Sequence, residues 1–274
     1  MKSAALLALA LAALLLATAV SPFVVSGLTI LGWTFRLARV QHRVFEILFG
    51  VGLALLWRRL DLGDAQCLGL RWAGWRRSLG LGLALGLAGI GVALILAWAG
   101  GALVPALRYP GAKTLIKLGL GLLAAVILGC GEELLFRGIF LRRFMLDGGA
   151  LPGLLLTTGL FAVAHALSGA GPAVSLTEPR LWPGVAGLFG LGLLLAVLRQ
   201  STGSLWVPIG IHVAVIGVLR MGRLFFSLPG RSTWIVGPGW PPFVGGLAGA
   251  AAGITVGLLA WAWLRRSPAR DFSA

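Results

Sequence analysis

Five side chains in this sequence could do chemistry together, and each lies where apolar surroundings make it costly. Glu132 and Glu133 end a run of apolar and small residues, Leu118 to Gly131, and are followed at once by Leu134, Leu135 and Phe136. A charged side chain at membrane depth costs about 2.5–3.5 kcal/mol on insertion scales. Two adjacent carboxylates there need partners or work to do. Positions four apart share a helix face, so Glu133 and Arg137 can form an ion pair. Glu132 is rotated about 100° away and is not neutralised by that pair. This asymmetry suggests Glu133–Arg137 as a structural clamp and Glu132 as a free carboxylate. The plainer alternative has both glutamates solvated at a helix end. Of the three histidines, His42 falls in a basic loop and reads as solvated, whereas His165 lies in the apolar stretch Leu160–Leu167 and His212 in Leu205–Val218. A lone histidine on an apolar helix is more often a hydrogen-bonded core residue than a catalyst. Two of them with a Glu-Glu pair, on three separate helices, point to convergence on one buried, partly hydrated pocket.

Amide hydrolysis inside a membrane needs a water, a base to activate it and donors for the developing oxyanion. Glu132 fits the general base and acid, and neutral histidines can donate hydrogen bonds or shuttle protons. Two His and one Glu also match a hydrolytic zinc ligand set in type, although the compact H-E-x-x-H helix motif is absent. Glutamate catalysis with no cofactor is the preferred reading, and zinc is its alternative. An aspartyl intramembrane protease would need paired aspartates within spans, but Asp64 and Asp147 read as loop-borne. A rhomboid-like serine protease would want Gly-x-Ser, for which Ala166-Leu167-Ser168-Gly169 is a near miss.

The elements that must position these groups follow from composition. Of 274 residues, 58% are hydrophobic and 11% charged, and the mean hydropathy is +0.96. A soluble domain carries about a quarter charged residues. A soluble globular enzyme, a disordered tail protein and a nucleic-acid module are excluded. The net charge of +15 sits in short groups between apolar runs: Arg36, Arg39 and Arg43; Arg58 and Arg59; Arg76 and Arg77; Arg142 and Arg143; Arg265 and Arg266. That pattern fits helix ends meeting lipid headgroups rather than a nucleic-acid partner. Cys67 and Cys130 are too few for a disulfide-stapled fold or a Cys-rich metal site, and Cys130 reads as a small packing residue.

The apolar runs are continuous rather than alternating, so they are helices and not barrel strands. Residues 4–25 read as an uncleaved first span despite the signal-like step Ala17-Thr18-Ala19. A weaker segment covers about 44–57, and 58–77 reads as an interfacial loop with Trp57, Trp72 and Trp75 nearby. Further spans cover about 78–103, 114–135, 150–167, 183–198, 204–219 and 243–264. The expected fold is an all-α polytopic bundle of about eight transmembrane helices. Its parts are 1–113 (N-terminal helices and basic loop), 114–220 (catalytic core) and 221–274 (C-terminal loop and last helix). Asp61, Asp64, Asp147, Glu178 and Asp271 fall in loops or tails, and Glu46 near a helix start. Gly245, Gly249, Gly253 and Gly257 form a stripe that lets another backbone approach, either inside the bundle or across a homodimer. Basic residues divide 13 to 10 of 23 between the two sides, which favours cytoplasmic termini.

Glu132-Glu133-x-x-x-Arg137, then Phe161-x-x-x-His165, then His212 in the context Gly203-Ser204-Leu205-Trp206-Val207-Pro208-Ile209-Gly210-Ile211-His212 resemble the CAAX-protease and bacteriocin-processing (CPBP, or Abi) family. This family of intramembrane proteases includes the type II CAAX prenyl endopeptidases. The resemblance covers roughly residues 114–220. It implies a helical intramembrane endopeptidase opening towards the cytoplasm. Glu132 would activate the attacking water with help from His165, His212 would help hold the oxyanion, and Glu133 and Arg137 would position the site. The family's third motif usually reads His-x-x-x-Asn (or Asp). Here Ile216 occupies the fourth position after His212, and the chain has no asparagine. Gln200 is the nearest carboxamide, and Ser201, Thr202 and Ser204 are nearby hydroxyls.

The sequence therefore supports an endopeptidase acting on a membrane-associated or C-terminal peptide within a lipid bilayer, with a prokaryotic plasma (inner) membrane suggested by the Ala-, Gly-, Leu- and Arg-rich composition. The alternatives are a catalytically weak relative serving as scaffold or self-immunity factor, and a small-molecule transporter with a midplane site. No inverted repeat is evident, and the polar residues cluster mid-chain, both of which count against transport.

Overall fold

The computed structural model describes residues 2–35, 37–170, 179, 181–228, 233–237 and 243–266. A chain in hydrocarbon must satisfy its backbone polar groups within each segment, and the apolar runs accordingly form helices. In order these are α1 (Lys2–Ile30), α2 (Leu37–Leu56), α3 (Trp75–Ala99), α4 (Ala112–Glu133), a π-helical stretch (Leu134–Phe140) leading directly into α5 (Leu141–Gly148), α6 (Ala150–Ala170), α7 (Leu181–Thr202), α8 (Trp206–Gly222), the short α9 (Thr233–Val236) and α10 (Leu247–Arg266). Among the described residues, five helical stretches are long and apolar enough to cross a membrane, and shorter apolar helices cover Ala150–His165 and Trp206–Gly222. Large apolar side chains such as Leu15, Leu55, Ile95, Leu120, Leu151 and Ile254 point outward, the inverse of a water-soluble protein. The chain is an integral membrane protein with a helical bundle fold. Among the described residues, the one strand pairing joins β1 (Val104–Pro105) to β2 (Phe226–Ser227), antiparallel, with Val104 opposite Ser227.

α8 is wedged between α3 and α4, and glycine makes the wedge close. A Cβ on Gly82 would fall 2.2 Å from the Val207 carbonyl oxygen, and one on Gly86 2.7 Å from that of Ile211. From the α8 side, a Cβ on Gly210 would lie 2.5 Å from Leu79 O, and on the α4 side one on Gly129 would lie 2.7 Å from Val213 Cγ2. These contacts set the depth and rotation of the helix that carries His212.

Residues 57–74 cap the same end of the bundle. Leu60, Leu62 and Leu68 of this segment are buried against the bundle, whereas Arg58, Arg59, Asp61 and Trp72 are exposed. The Trp57 indole donates to Gly63 O at 2.9 Å, Arg142 to Asp61 O at 2.8 Å and Arg143 to Leu60 O at 3.2 Å. Leu205 N donates to Gly69 O at 2.8 Å, so the segment also fixes the approach to α8. The rings of Trp72, Trp75 and Trp206 pack together there, and the Trp206 indole donates to Arg71 O at 2.9 Å. Tryptophans of this kind sit at headgroup level.

Three boundaries differ from the sequence reading. α2 starts at Leu37, so His42 belongs to a helix and not to a basic loop. Val40, Val44 and Ile47 recur at three- and four-residue spacing and carry the helix through the basic stretch. The helix expected to stop near residue 135 continues through the π-helical stretch and α5, and Asp147, read as loop-borne, is helical and paired with Arg143 four residues earlier. It ends only where Gly149 adopts φ 89. The glycine stripe is also divided. α10 begins at Leu247, so Gly245 precedes it, and a Cβ there would meet the backbone of Pro183 and Gly184. Gly253 and Gly257 have nothing within 4 Å of such a Cβ. Glu178 and Asp271 lie outside the described residues.

Candidate active site

Glu132 and Glu133 close α4, and Arg137 lies in the π-helical stretch that follows. Such π turns recur at functional sites. The Glu133–Arg137 pair spans the change of helix type: Arg137 NH1 donates to Glu133 Oε1 at 2.8 Å, with side chains 0% and 1% exposed. Two further contacts hold the guanidinium. NH2 donates to Gly192 O on α7 at 3.2 Å, and the plane lies 4.2 Å from the centroid of the Phe161 ring on α6. A Cβ on Gly192 would lie 3.1 Å from Phe161 Cδ1, 3.2 Å from Thr158 Cγ2 and 3.4 Å from Arg137 NH2. The absence of a side chain there lets α7 present its carbonyl to the arginine.

His212 approaches from α8, its Nδ1 at 2.7 Å from Glu133 Oε1. His165 approaches from α6, its Nδ1 at 2.9 Å from Phe161 O. The second ring nitrogens converge on one atom. His165 Nε2 is 3.0 Å from Glu132 Oε2, and His212 Nε2 is 3.6 Å from the same oxygen. The Glu132 and His165 side chains are 27% and 21% exposed, against 7% for His212. The pocket is therefore open at Glu132 and His165 and closed behind them by Glu133 and Arg137.

These contacts dictate proton positions. Phe161 O is a carbonyl and can only accept, so His165 Nδ1 carries a hydrogen. Glu133 Oε1 already accepts from Arg137, so His212 Nδ1 donates to it as well. Both Nε2 atoms then face the Glu132 carboxylate. A lone pair facing a carboxylate oxygen at 3.0 Å requires a proton between them. With both histidines neutral, Glu132, Glu133 and Arg137 sum to −1 − 1 + 1 = −1, and one added proton makes the cluster neutral. Neutrality is the least costly state for a buried group of charges.

All five residues singled out in the sequence thus meet, and Glu132 is the one reached by both histidines. The Gly192 carbonyl could not be read from the residue pattern, because a backbone acceptor has no residue signature. The polar residues near the α7–α8 turn are engaged elsewhere. Gln200 Nε2 lies against Met145 Sδ at 3.0 Å, Thr202 Oγ1 donates to Leu198 O at 2.6 Å, and Ser204 Oγ accepts from Trp206 N at 3.3 Å. Ile216 is half-buried one turn beyond His212. Two imidazoles and a carboxylate match zinc ligands in type, with Nδ1 atoms anchored as in metal-binding histidines. In this arrangement His165 Nε2 is hydrogen-bonded to Glu132 Oε2 at 3.0 Å, and His212 Nε2 lies 3.6 Å from the same oxygen. Among the described residues, no group of three or more His, Cys, Asp or Glu side chains is arranged to hold a metal ion.

The family model for type II CAAX prenyl endopeptidase Rce1-like proteins matches residues 114–217. This segment is similar to an Rce1-like domain. It runs from the start of α4 to the middle of α8 and so contains Glu132, Glu133, Arg137, His165 and His212. The family is one of CAAX-protease-type intramembrane endopeptidases. Neither the comparison with curated proteins nor that with solved structures yields a match. The matched segment is flanked in this chain by α1–α3 on one side and by α9 and α10 on the other.

Proposed function

We propose that this protein is an intramembrane endopeptidase that hydrolyses a peptide bond in a membrane-associated or C-terminal peptide, with Glu132 as the base. The observation that carries this reading is the convergence of His165 Nε2 and His212 Nε2 on Glu132 Oε2. In the reaction, Glu132 takes a proton from water and the water oxygen bonds to the scissile carbonyl carbon. The carbonyl oxygen becomes an oxyanion facing His212, whose Nε2–H donates to it when the ring carries its second proton. Collapse breaks the C–N bond, and the proton held by Glu132 passes to the leaving amine. His165 holds Glu132 in place and shares its proton. Glu133 and Arg137 touch no substrate atom in this scheme. They hold His212 in the tautomer with Nε2 facing the pocket. No step is routed through a metal.

Depth supports the reading. His212 is six residues into α8 from Trp206, about 9 Å at the helical rise, so the site lies just below the tryptophan cluster and within reach of water and of a peptide at the membrane surface. Processing of a reporter peptide by wild type, Glu132→Ala and His165→Ala tests it, and equal processing by all three would remove it. A second reading, a catalytically weak relative acting as scaffold or self-immunity factor, is favoured by Ile216 alone. A processing rate in wild type no higher than in Glu132→Ala, with normal membrane insertion of both, selects that reading.

A further inference from the structure

At the opposite end of α8 from Trp206 lies a second cavity, of about 290 Å³, at the low end of the range for ligand pockets. Its wall is apolar, formed mainly by Leu94 of α3, Val218 and Leu219 of α8, Phe226 and Phe243. Two arginines, Arg108 and Arg223, line it as well, and no acidic residue does so among the described residues. Gly222, on the same wall, is ten residues beyond His212, about 15 Å along the helix. The cavity is therefore separate from the candidate active site.

Further basic residues adjoin these two arginines in the chain. Arg220 precedes Arg223 by three residues, and Lys113 and Lys117 both lie over the Tyr109 ring beside Arg108. Partial burial, together with the charges of Arg220 and Arg108, holds the Arg223 guanidinium below the usual arginine range. The arginines are fixed by backbone as well as by packing. Arg108 N donates to Leu224 O at 3.0 Å and Ala106 N to Phe225 O at 2.7 Å, so the strand pair holds residue 108 against the end of α8.

We propose that this cavity binds an anionic phospholipid, with the phosphate between Arg108 and Arg223 and the first part of an acyl chain against Leu94, Val218 and Leu219. An apolar slot lined also by two arginines and placed at a helix end has the chemistry of a phosphate-bearing amphiphile. A free phosphate would use the arginines but not the slot. A neutral amphiphile would use the slot but bring no charge complementary to the two guanidiniums. This inference does not rest on the peptidase reading, and its test does not use activity.

The test is retention of lipid by the full chain, purified in neutral detergent and examined by native mass spectrometry. The probes are phosphatidylglycerol, phosphatidylcholine with the same acyl chains, and inorganic phosphate. Phosphatidylglycerol is expected to be retained over the other two. Each basic side chain at a membrane surface contributes about fivefold in binding, so Arg108→Gln/Arg223→Gln should weaken phosphatidylglycerol retention about thirtyfold. Arg108→Lys/Arg223→Lys should keep most of it, and Val218→Trp should reduce it by filling the slot while leaving both charges. Equal retention by wild type and the double glutamine variant overturns the proposal. So does equal binding of phosphatidylcholine, or saturation of the same site by inorganic phosphate. If the double variant does not fold, Val218→Trp and the single Arg108→Gln decide the matter by the same comparison.

Discussion

Glu133 and His212, on different helices, share a buried hydrogen bond of 2.7 Å through Oε1 and Nδ1, and that same oxygen takes Arg137 NH1 at 2.8 Å. One carboxylate oxygen thus serves both a structural ion pair and a candidate catalytic ring. Replacing Glu133 by Gln removes the carboxylate that is hydrogen-bonded to the buried Arg137 guanidinium. Breaking a buried pair in this way costs about 3–5 kcal/mol. Glu133→Gln is expected to lower the melting midpoint in detergent sharply and to abolish reporter processing. Tryptophan fluorescence during thermal unfolding measures the first effect. An unchanged midpoint would mean that the pair carries no structural weight.

Glu132 behaves differently because it is partly exposed and touches only histidines among its named partners. Glu132→Gln is expected to leave the melting midpoint nearly unchanged while lowering kcat by about 10²–10⁴, the contribution of a positioned general acid–base. The pair of variants separates two adjacent glutamates by role. Loss of stability in Glu132→Gln as large as in Glu133→Gln would contradict the division.

How far the sequence disclosed this arrangement depends on the kind of signal. The Glu133–Arg137 clamp was legible because four-residue spacing puts both on one face, and the pair survives although Leu134–Phe140 is π-helical. The convergence of His165 and His212 was inferable only from their cost in apolar runs. Its geometry depends on Gly82, Gly86 and Gly210, whose close approaches no periodicity announces. The bundle itself was legible in the apolar runs, whereas α5 was not, because charge alone does not distinguish a loop from a helix whose Arg143 and Asp147 pair one turn apart. The Gly192 carbonyl was invisible, since every residue has one.

The α3–α8 wedge makes a stability prediction with an internal control. A methyl group on Gly82 would lie 2.2 Å from Val207 O, which is backbone and cannot turn aside. Gly82→Ala is expected to destabilise by about 1–3 kcal/mol, as overpacking does, and to lower processing by displacing His212. On the same helix, Gly80 and Gly91 face open space. Gly→Ala at either should be neutral or gain about 0.5–1 kcal/mol from reduced chain entropy. A Gly82→Ala protein as stable as these two would show that the helices can part at no cost.

Metal dependence has its own measurement. His165 Nε2 is hydrogen-bonded to the Glu132 carboxylate and His212 Nε2 lies 3.6 Å from it, and the reaction scheme needs only a proton and a water. Processing by the purified protein is expected to persist after prolonged chelation and dialysis. Loss of activity that returns on addition of zinc, with no change in the melting midpoint, would replace glutamate-activated water with a metal-bound one.

Ile216 gives the sharpest test of the oxyanion side. It lies one helical turn beyond His212, on the same face, where the resembling family usually has a carboxamide or carboxylate. The nearby carboxamide and hydroxyls of Gln200, Thr202 and Ser204 are engaged in the α7–α8 turn, so His212 stands as the one named donor. Removing a single oxyanion donor from an enzyme costs about 10²–10³ in rate, and restoring one should recover part of that range. Ile216→Asn is expected to raise kcat with little change in KM, since the added hydrogen bond forms only as charge develops on the carbonyl oxygen. The polar side chain at a half-buried position should lower the melting midpoint slightly, which separates a gain in rate from a gain in folded protein. A fall in kcat at an unchanged midpoint would show that position 216 does not face the oxyanion and that His212 lies in a differently shaped pocket.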